Sequence, residues 1–100
     1  MIKILKAKAH PDRIIEVEYN DGIKGSFVFS DFFNYEGIMS PLEDIHFFTQ
    51  MNTDHKTIKW GNDIDLCPDI IRSIITNEKI LHDGKVVFDP ALKKNGWMSP

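Results

Sequence analysis

The chain has 100 residues, of which 42% are hydrophobic and 27% charged, the composition of one soluble globular domain. Twelve basic and fifteen acidic residues give a net charge of −3, which argues against a protein that coats nucleic acid, since such proteins carry a basic excess. A single cysteine excludes an internal disulfide framework. No run approaches the ~18 apolar residues of a membrane-spanning helix, and lysines interrupt the N-terminal stretch where a signal peptide is apolar. We therefore expect a cytoplasmic protein.

The N-terminal part of the chain predicts a three-stranded antiparallel meander. Residues 14–19 carry the period-two pattern of a half-buried strand, and residues 23–29 repeat it. Between them lies Asp21-Gly22, a dipeptide that favours a tight hairpin turn. Residues 2–9 are rich in strand-forming residues and precede this hairpin, so they are expected to form the third strand.

The next part of the chain carries helix signals. Ser30 is positioned to cap a short helix over residues 31–36. The segment Ser40–Glu43 reads as a capping box, in which a serine hydroxyl and a glutamate carboxylate satisfy each other's backbone amides, with proline at the first helical position. This pattern predicts a second short helix that ends near Thr49.

A second hairpin and a longer helix follow. Strand-forming residues between Gln50 and Trp60 flank a polar turn and predict a small hairpin. Residues 66–77 predict a helix whose cap is Cys67 or Asp65, with proline in its first turn. Its apolar stripe, which is expected to face the core, consists of Ile70, Ile71, Ile74 and Ile75.

The last part of the chain leaves alternatives open. Strand-forming residues 80–82 and 85–88 flank Asp83-Gly84 and favour a hairpin, although the preceding helix running on to Leu81 fits as well. From Ala91 no periodicity remains, and a loose tail is expected. The predicted fold is thus α+β, with antiparallel strands and two or three short helices on one face. Residues 1–80 form one domain and residues 81–100 a C-terminal extension.

The sequence contains no motif for a cofactor, a metal ion or catalysis. It has no glycine-rich phosphate loop, and its histidines occur singly. Cys67 at a helix start would have a lowered thiol pKa, but no histidine is positioned as its base. Asp63 and Asp65 invite a calcium interpretation, yet the sixth and twelfth positions of such a loop would be Pro68 and Ile74, which do not fit. We expect no enzyme and no cofactor.

Adjacent aromatic residues give the one functional hint from residue chemistry. Phe32-Phe33 and Phe47-Phe48 are consecutive pairs, and two consecutive residues of a helix cannot both face the core. Exposed aromatic surface marks sites for partner proteins. Together with the polar segment that begins at Trp60, this reasoning selects six candidate binding residues: Phe32, Phe33, Phe47, Trp60, Asn62 and Asp65.

Several short motifs resemble a small prokaryotic family, domain of unknown function 2442. The similarity covers about residues 1–75, and its segments are Asp21-Gly22, Ser30-Asp31, Pro41-Leu42 with Phe47 or Phe48, and Trp60-x-Asn62-x-x-Asp65-Leu66-x-Pro68-Asp69. The resemblance implies a compact α+β unit. It also implies a gene beside that of another small protein, the two regarded as a toxin–antitoxin pair with this family as antitoxin. It supplies no catalytic or binding residues.

Three residues depart from the family pattern: Gly61, Asp63 and Cys67. Asp63 stands where the family has glycine, which predicts a left-handed backbone there, because aspartate tolerates that conformation. The extension beyond about residue 80 exceeds the family's usual length. In antitoxins such terminal segments commonly bind the partner.

Together these observations predict a non-enzymatic protein-interaction module, an antitoxin-like or accessory protein of a two-gene operon. Its expected partner is a small protein encoded by the adjacent gene, which the resemblance implies to be a toxin. The alternative function is a DNA-binding autoregulator, acting as a homodimer. Its phosphate contacts would come from basic residues near the N-terminus, opposed by Glu16 and Glu18: Lys3, Lys6, Lys8 and Arg13.

Overall fold

The computed structural model describes residues 1–61 and 63–97 and has the expected α+β fold. Three antiparallel sheets have the strand orders β1-β2-β3, β4-β5-β6 and β7-β8. The strands are β1 (Ile4–Ala9), β2 (Ile14–Tyr19), β3 (Lys24–Val28), β4 (Asn52–Thr53), β5 (Ile58–Trp60), β6 (Ile64–Asp65), β7 (Ile80–His82) and β8 (Lys85–Phe88). The α-helices of the described residues are α1 (Phe29–Phe32), α2 (Ile45–Phe48) and α3 (Pro68–Thr76). A first 3₁₀ helix spans Gly37–Glu43, and a second 3₁₀ helix, Pro90–Gly96, is kinked at Lys93, whose φ is +53°. Within the described ranges, no helix has the length and apolar character needed to cross a bilayer.

The N-terminal meander is confirmed. β2 pairs with β1 on one side and with β3 on the other, and Gly22 in the β2–β3 turn has φ +88°. The inward side chains of β2 and β3 are buried, except at Gly25, whereas the outward positions are exposed or half-buried and include Glu16, Glu18 and Lys24. This period-two burial is what the alternation of the sequence predicts.

The second sheet has one strand more than expected. The hairpin of β4 and β5 is present, and β6 adds to β5 through the pairs Lys59–Asp65 and Trp60–Ile64. The turn before β5 is held by Asp54, whose carboxylate accepts from the amides of Lys56 and Thr57 at 3.0 Å each. A two-residue strand such as β6 is too short for its alternation to be visible in the sequence.

The first helix begins and ends earlier than predicted. α1 spans Phe29–Phe32 rather than residues 31–36, and Ser30 lies inside it instead of capping it. Phe29 and Phe32 lie one helical turn apart and are both buried, so the helix is placed by the burial of these two rings.

The predicted capping box is also wrong. Pro41 lies within the first 3₁₀ helix, and α2 begins separately, capped by Asp44, which accepts from the amide of His46 at 2.9 Å. Arg13 explains the break, because its guanidinium donates to the carbonyls of Leu42 and Glu43. An arginine far away in the sequence therefore decides where this helix is interrupted.

Helix α3 confirms the prediction for residues 66–77. Cys67 is the N-cap residue, although its side chain accepts no capping hydrogen bond, and Pro68 follows in the first turn. The helix ends at Asn77, whose φ of +58° is the left-handed conformation typical of a helix C-terminus. Ile71 and Ile74 are buried, as the isoleucine stripe predicts.

The described part of the C-terminal extension, residues 81–97, has regular structure. The hairpin of β7 and β8 is present, so the alternative of a longer helix is wrong. The expected loose tail is wrong as well: Asp89 caps the second 3₁₀ helix by accepting from Ala91 N at 3.0 Å. Phe88 is fully buried in the same core cluster as the N-terminal sheet, so the extension packs onto residues 1–80.

Candidate interaction surface

Most aromatic rings form one connected cluster inside the molecule. Phe29 is fully buried, and its ring centroid lies 4.8 Å from that of Phe33, 5.5 Å from that of Phe48 and 5.9 Å from that of Trp60. The last two contacts are edge-to-face, a favourable geometry for aromatic pairs. The interior therefore holds most of the aromatic side chains, so less aromatic surface is exposed than the consecutive pairs predict.

Two candidate binding residues belong to this core. Phe32 is 8% exposed and packs edge-to-face against Phe27, while Trp60 is 4% exposed and donates its indole N–H to the carbonyl of Phe48 at 2.8 Å. With its ring buried and its one polar atom satisfied, Trp60 has a structural role. The expectation that these two rings lie on an exposed surface is wrong.

The other candidates are spread over the molecule rather than brought together. Phe33 is half-buried against Phe29, and Phe47 is half-buried beside Gly61. Asp65 is exposed on β6, opposite Lys59. Asn62 lies outside the described residues.

Sequence reasoning missed the aromatic residue that is exposed. Trp97 keeps 44% of its surface accessible, although its ring contacts Phe88 at 4.6 Å and Phe33 at 5.8 Å between centroids. Its indole N–H donates to the carbonyl of Phe32 at 3.2 Å. The indole is thus held in place while nearly half of its residue surface stays exposed, the state of a preorganised binding residue. A tryptophan in a tail without periodicity was the signal available in the sequence.

Exposed apolar side chains accompany Trp97 in the extension. We call the exposed apolar residues of the extension together the C-terminal surface, in which Leu81 and Val87 lie on opposite faces of the β7–β8 hairpin: Leu81, Val87, Leu92 and Trp97. Beside it, Lys93 forms an ion pair with Asp31 at 3.4 Å, which attaches the second 3₁₀ helix to α1. Other large exposed apolar residues among those described are Met1, Ile2, Leu5 and Ile38.

The outer face of the first sheet carries charges of both signs. Lys6 lies directly opposite Glu18, and Lys8 lies directly opposite Glu16. A shallow, open trough of 560 Å³ crosses this face, and its walls contain both kinds of side chain. Arg13, also named as a phosphate contact, is only partly exposed, and its guanidinium lies over the rings of Tyr35 and Phe48 at 5.0 and 4.9 Å.

The described residues contain no group of three or more side chains arranged to hold a metal ion. Asp63 has φ +60°, which confirms the predicted left-handed turn at this position. Cys67 is exposed and unpaired with another cysteine. His55 connects the second sheet to β1: its Nδ1 lies 2.8 Å from the carbonyl oxygen of Ile4, and its own carbonyl accepts from the amide of Ile4.

The shifted pKa values belong to structural contacts. Arg72 donates to Asp21 at 2.6 Å and holds the pKa of that carboxyl below its ordinary value. The same guanidinium lies over the ring of Tyr19, whose burial raises its pKa to about 12. Backbone hydrogen bonds from Thr57 and Lys56 lower the pKa of Asp54. These groups join α3 to the β2–β3 turn and hold the turn before β5, so none of them indicates catalysis.

A comparison with known protein families identifies the family of this chain. A family described as protein of unknown function (DUF2442) matches residues 4–77, which include both β-meanders and α3. The chain belongs to this family. No curated protein and no solved structure matches the chain. The family match ends just after α3, so the C-terminal surface lies on the segment beyond the matched part of this DUF2442 protein.

Proposed function

We propose that this DUF2442 protein is a non-enzymatic interaction module that binds a small protein partner through its C-terminal surface. The observation that carries the proposal is Trp97, a tryptophan that is 44% exposed and whose indole N–H is already bonded to the carbonyl of Phe32. Tryptophan is the residue type most enriched among those that dominate binding energy at interfaces. Because the indole is fixed before binding, little conformational entropy is lost when a partner covers it.

The expected role is that of an antitoxin-like or accessory protein in a two-gene prokaryotic operon, acting in the cytoplasm. The family resemblance supports the operon context, and the position of Trp97 beyond the family match agrees with a partner that is specific to this chain. An exposed, unpaired Cys67 is compatible with a reducing compartment.

The test is co-expression with the proteins encoded on either side of this gene, one at a time. We expect one of them to co-purify in a stoichiometric complex, and Trp97→Ala to weaken that complex by about 30-fold. Leu92→Glu is the second variant, because it changes the same surface while keeping the indole. Ile38→Ala is the matched control, since Ile38 is also exposed and apolar but lies on the first 3₁₀ helix. A chain that stays free with both neighbours present contradicts the proposal.

The alternative function, DNA binding by an operon autoregulator, has less support. Glu16 and Glu18 stand directly opposite the two lysines of β1, and Arg13 donates to backbone carbonyls. Binding to phosphates would therefore meet a repulsive charge at each of these lysines. A gel shift with operon DNA whose affinity falls steeply with salt would nevertheless favour this function over the proposed one.

A further inference from the structure

The first sheet has two edges, and the hydrogen-bond register tells which backbone groups each edge presents. The amide of Tyr19 donates to the carbonyl of Ile23. In an antiparallel pair, hydrogen-bonded and non-bonded residue pairs alternate. The pairs Val17–Gly25 and Ile15–Phe27 are therefore hydrogen-bonded, and Lys24, Ser26 and Val28 direct their backbone N–H and C=O groups away from the sheet.

The edge at β3 is open. Lys24 and Ser26 are exposed, and no other described residue bonds their outward backbone groups. On the inner face of this edge strand, Ile75 of α3 packs against Gly25. A Cβ added at Gly25 would lie only 3.2 Å from a side-chain carbon of Ile75. Ile75 remains half-buried, so apolar surface borders the unpaired backbone. Unpaired backbone next to apolar surface is the usual site of strand addition.

The edge at β1 is covered at both of its ends by comparison. The amide of Ile4 donates to the carbonyl of His55, and the His55 ring bonds the carbonyl of Ile4. Ala9 is only 5% exposed, so its outward groups are covered. Suppose that β1 paired instead with β1 of a second copy, through the outward backbone groups of Ala7 or Ala9. In every such two-fold arrangement Lys8 would face a basic residue of the second copy, which is unfavourable.

We propose that a second copy of this chain pairs with β3, edge to edge, to form a continuous six-stranded sheet. A two-fold axis at Ser26 sets Ser26 opposite Ser26 and Lys24 opposite Val28 of the second copy. No like charges face each other in this register, and paired hydroxyls are a favourable cross-strand combination. A self-complementary interface of this kind is what a symmetric dimer requires. This inference does not depend on the protein partner proposed above, which binds at the C-terminal surface.

The test is sedimentation velocity of the chain alone over a range of concentrations. We expect a monomer–dimer equilibrium that Ser26→Pro abolishes, because proline removes the outward N–H but no hydrogen bond to β2. Ala7→Pro is the matched control: its N–H also points away from β2, but on the β1 edge, so the dimer should persist. Circular dichroism and the melting temperature verify that each variant is folded.

Charge variants test the register itself and remain informative if a proline variant unfolds. Ser26→Glu and Ser26→Lys each set like charges opposite each other on the axis and should weaken the dimer by about fivefold or more. A mixture of the two variants should associate more tightly than either alone. Three results would overturn the proposal. They are a monomer at all concentrations, a Ser26→Pro dimer as stable as that of the unaltered chain, or a mixture of the two charge variants that associates no more tightly than either variant alone. Loss of the dimer in Trp97→Ala alone would instead place the contact at the C-terminal surface.

Discussion

At the scale of single residues, two arginines connect segments that are far apart in the sequence. Arg13 adopts φ +72° and joins the β1–β2 turn to the first 3₁₀ helix, while Arg72 joins α3 to the β2–β3 turn. Each guanidinium donates to oxygen atoms and also lies over an aromatic ring. This combination suits the planar guanidinium, and lysine does not reproduce it.

The pair Asp21–Arg72 makes stability depend on pH. The pKa of Asp21 is lower in the folded protein than in the unfolded chain, so the unfolded state takes up the proton first. The stabilisation is complete above the ordinary aspartate pKa of about 4 and is lost as the pH falls through the lower folded-state value. We expect Asp21→Asn to be less stable than the unaltered chain at pH 7 and equally stable in acid. Urea denaturation at both pH values measures this difference.

Asp83→Asn is the control for this measurement, because Asp83 is almost fully exposed and contacts only His82 at 3.5 Å. Its stability should match that of the unaltered chain at both pH values. An Asp21→Asn variant that shows the same deficit in acid as at neutral pH would mean that the ion pair is not the cause.

At the scale of elements, the C-terminal segment is closed by a tight backbone contact. The amide of Asp89 donates to the carbonyl of Gly96 at 2.9 Å, and the two ends of the second 3₁₀ helix approach each other there. A Cβ at Gly96 would lie 1.9 Å from the carbonyl oxygen of Asp89, which no packing adjustment of a side chain can relieve. Glycine is therefore required for Trp97 to reach Phe32.

Gly96→Ala should detach Trp97 from the molecule while leaving the rest folded. We expect the indole N–H of Trp97, now without its acceptor on Phe32, to exchange with solvent much faster in the variant. Hydrogen exchange followed by NMR measures the rate. Gly61→Ala is the matched control, since a Cβ there meets Phe47 at an ordinary contact distance of 3.7 Å. Unchanged protection of the Trp97 indole in Gly96→Ala would contradict this account.

At the scale of the whole molecule, one core joins all the elements. Phe29, the first residue of α1, touches the rings of Phe33 after α1, Phe48 of α2 and Trp60 of β5. Trp97 connects Phe33 to Phe88 of the extension. The part of the chain that the family matches and the C-terminal extension therefore share one hydrophobic core. The extension should unfold together with the rest.

Phe29→Ala tests this common core. Removing a fully buried ring should lower the free energy of unfolding by about 3–5 kcal/mol, because it loses apolar burial and leaves a cavity. Leu81→Ala removes an exposed side chain and should change it by less than about 0.5 kcal/mol. Chemical denaturation followed by circular dichroism gives both values. Two separate transitions in the unaltered chain would contradict a single core.

The sequence by itself determined the elements whose signals are local. Asp21-Gly22 marks the first hairpin and the isoleucine spacing marks α3, because turn chemistry and side-chain periodicity act over a few residues. The left-handed turn at Asp63 was predictable for the same reason. None of these depends on a distant contact. Asp83-Gly84 favoured the last hairpin but left a longer helix open, and only the structure decided between them.

Only the tertiary structure decided which aromatic residue stays exposed. Phe32 and Trp60 are buried by rings from other elements, and Trp97 is positioned by a carbonyl 65 residues away in the sequence. Arg13 likewise interrupts the helix predicted from the capping box by bonding carbonyls about 30 residues away. Burial and long-range hydrogen bonds depend on how the elements pack together, and this packing leaves no local pattern in the chain.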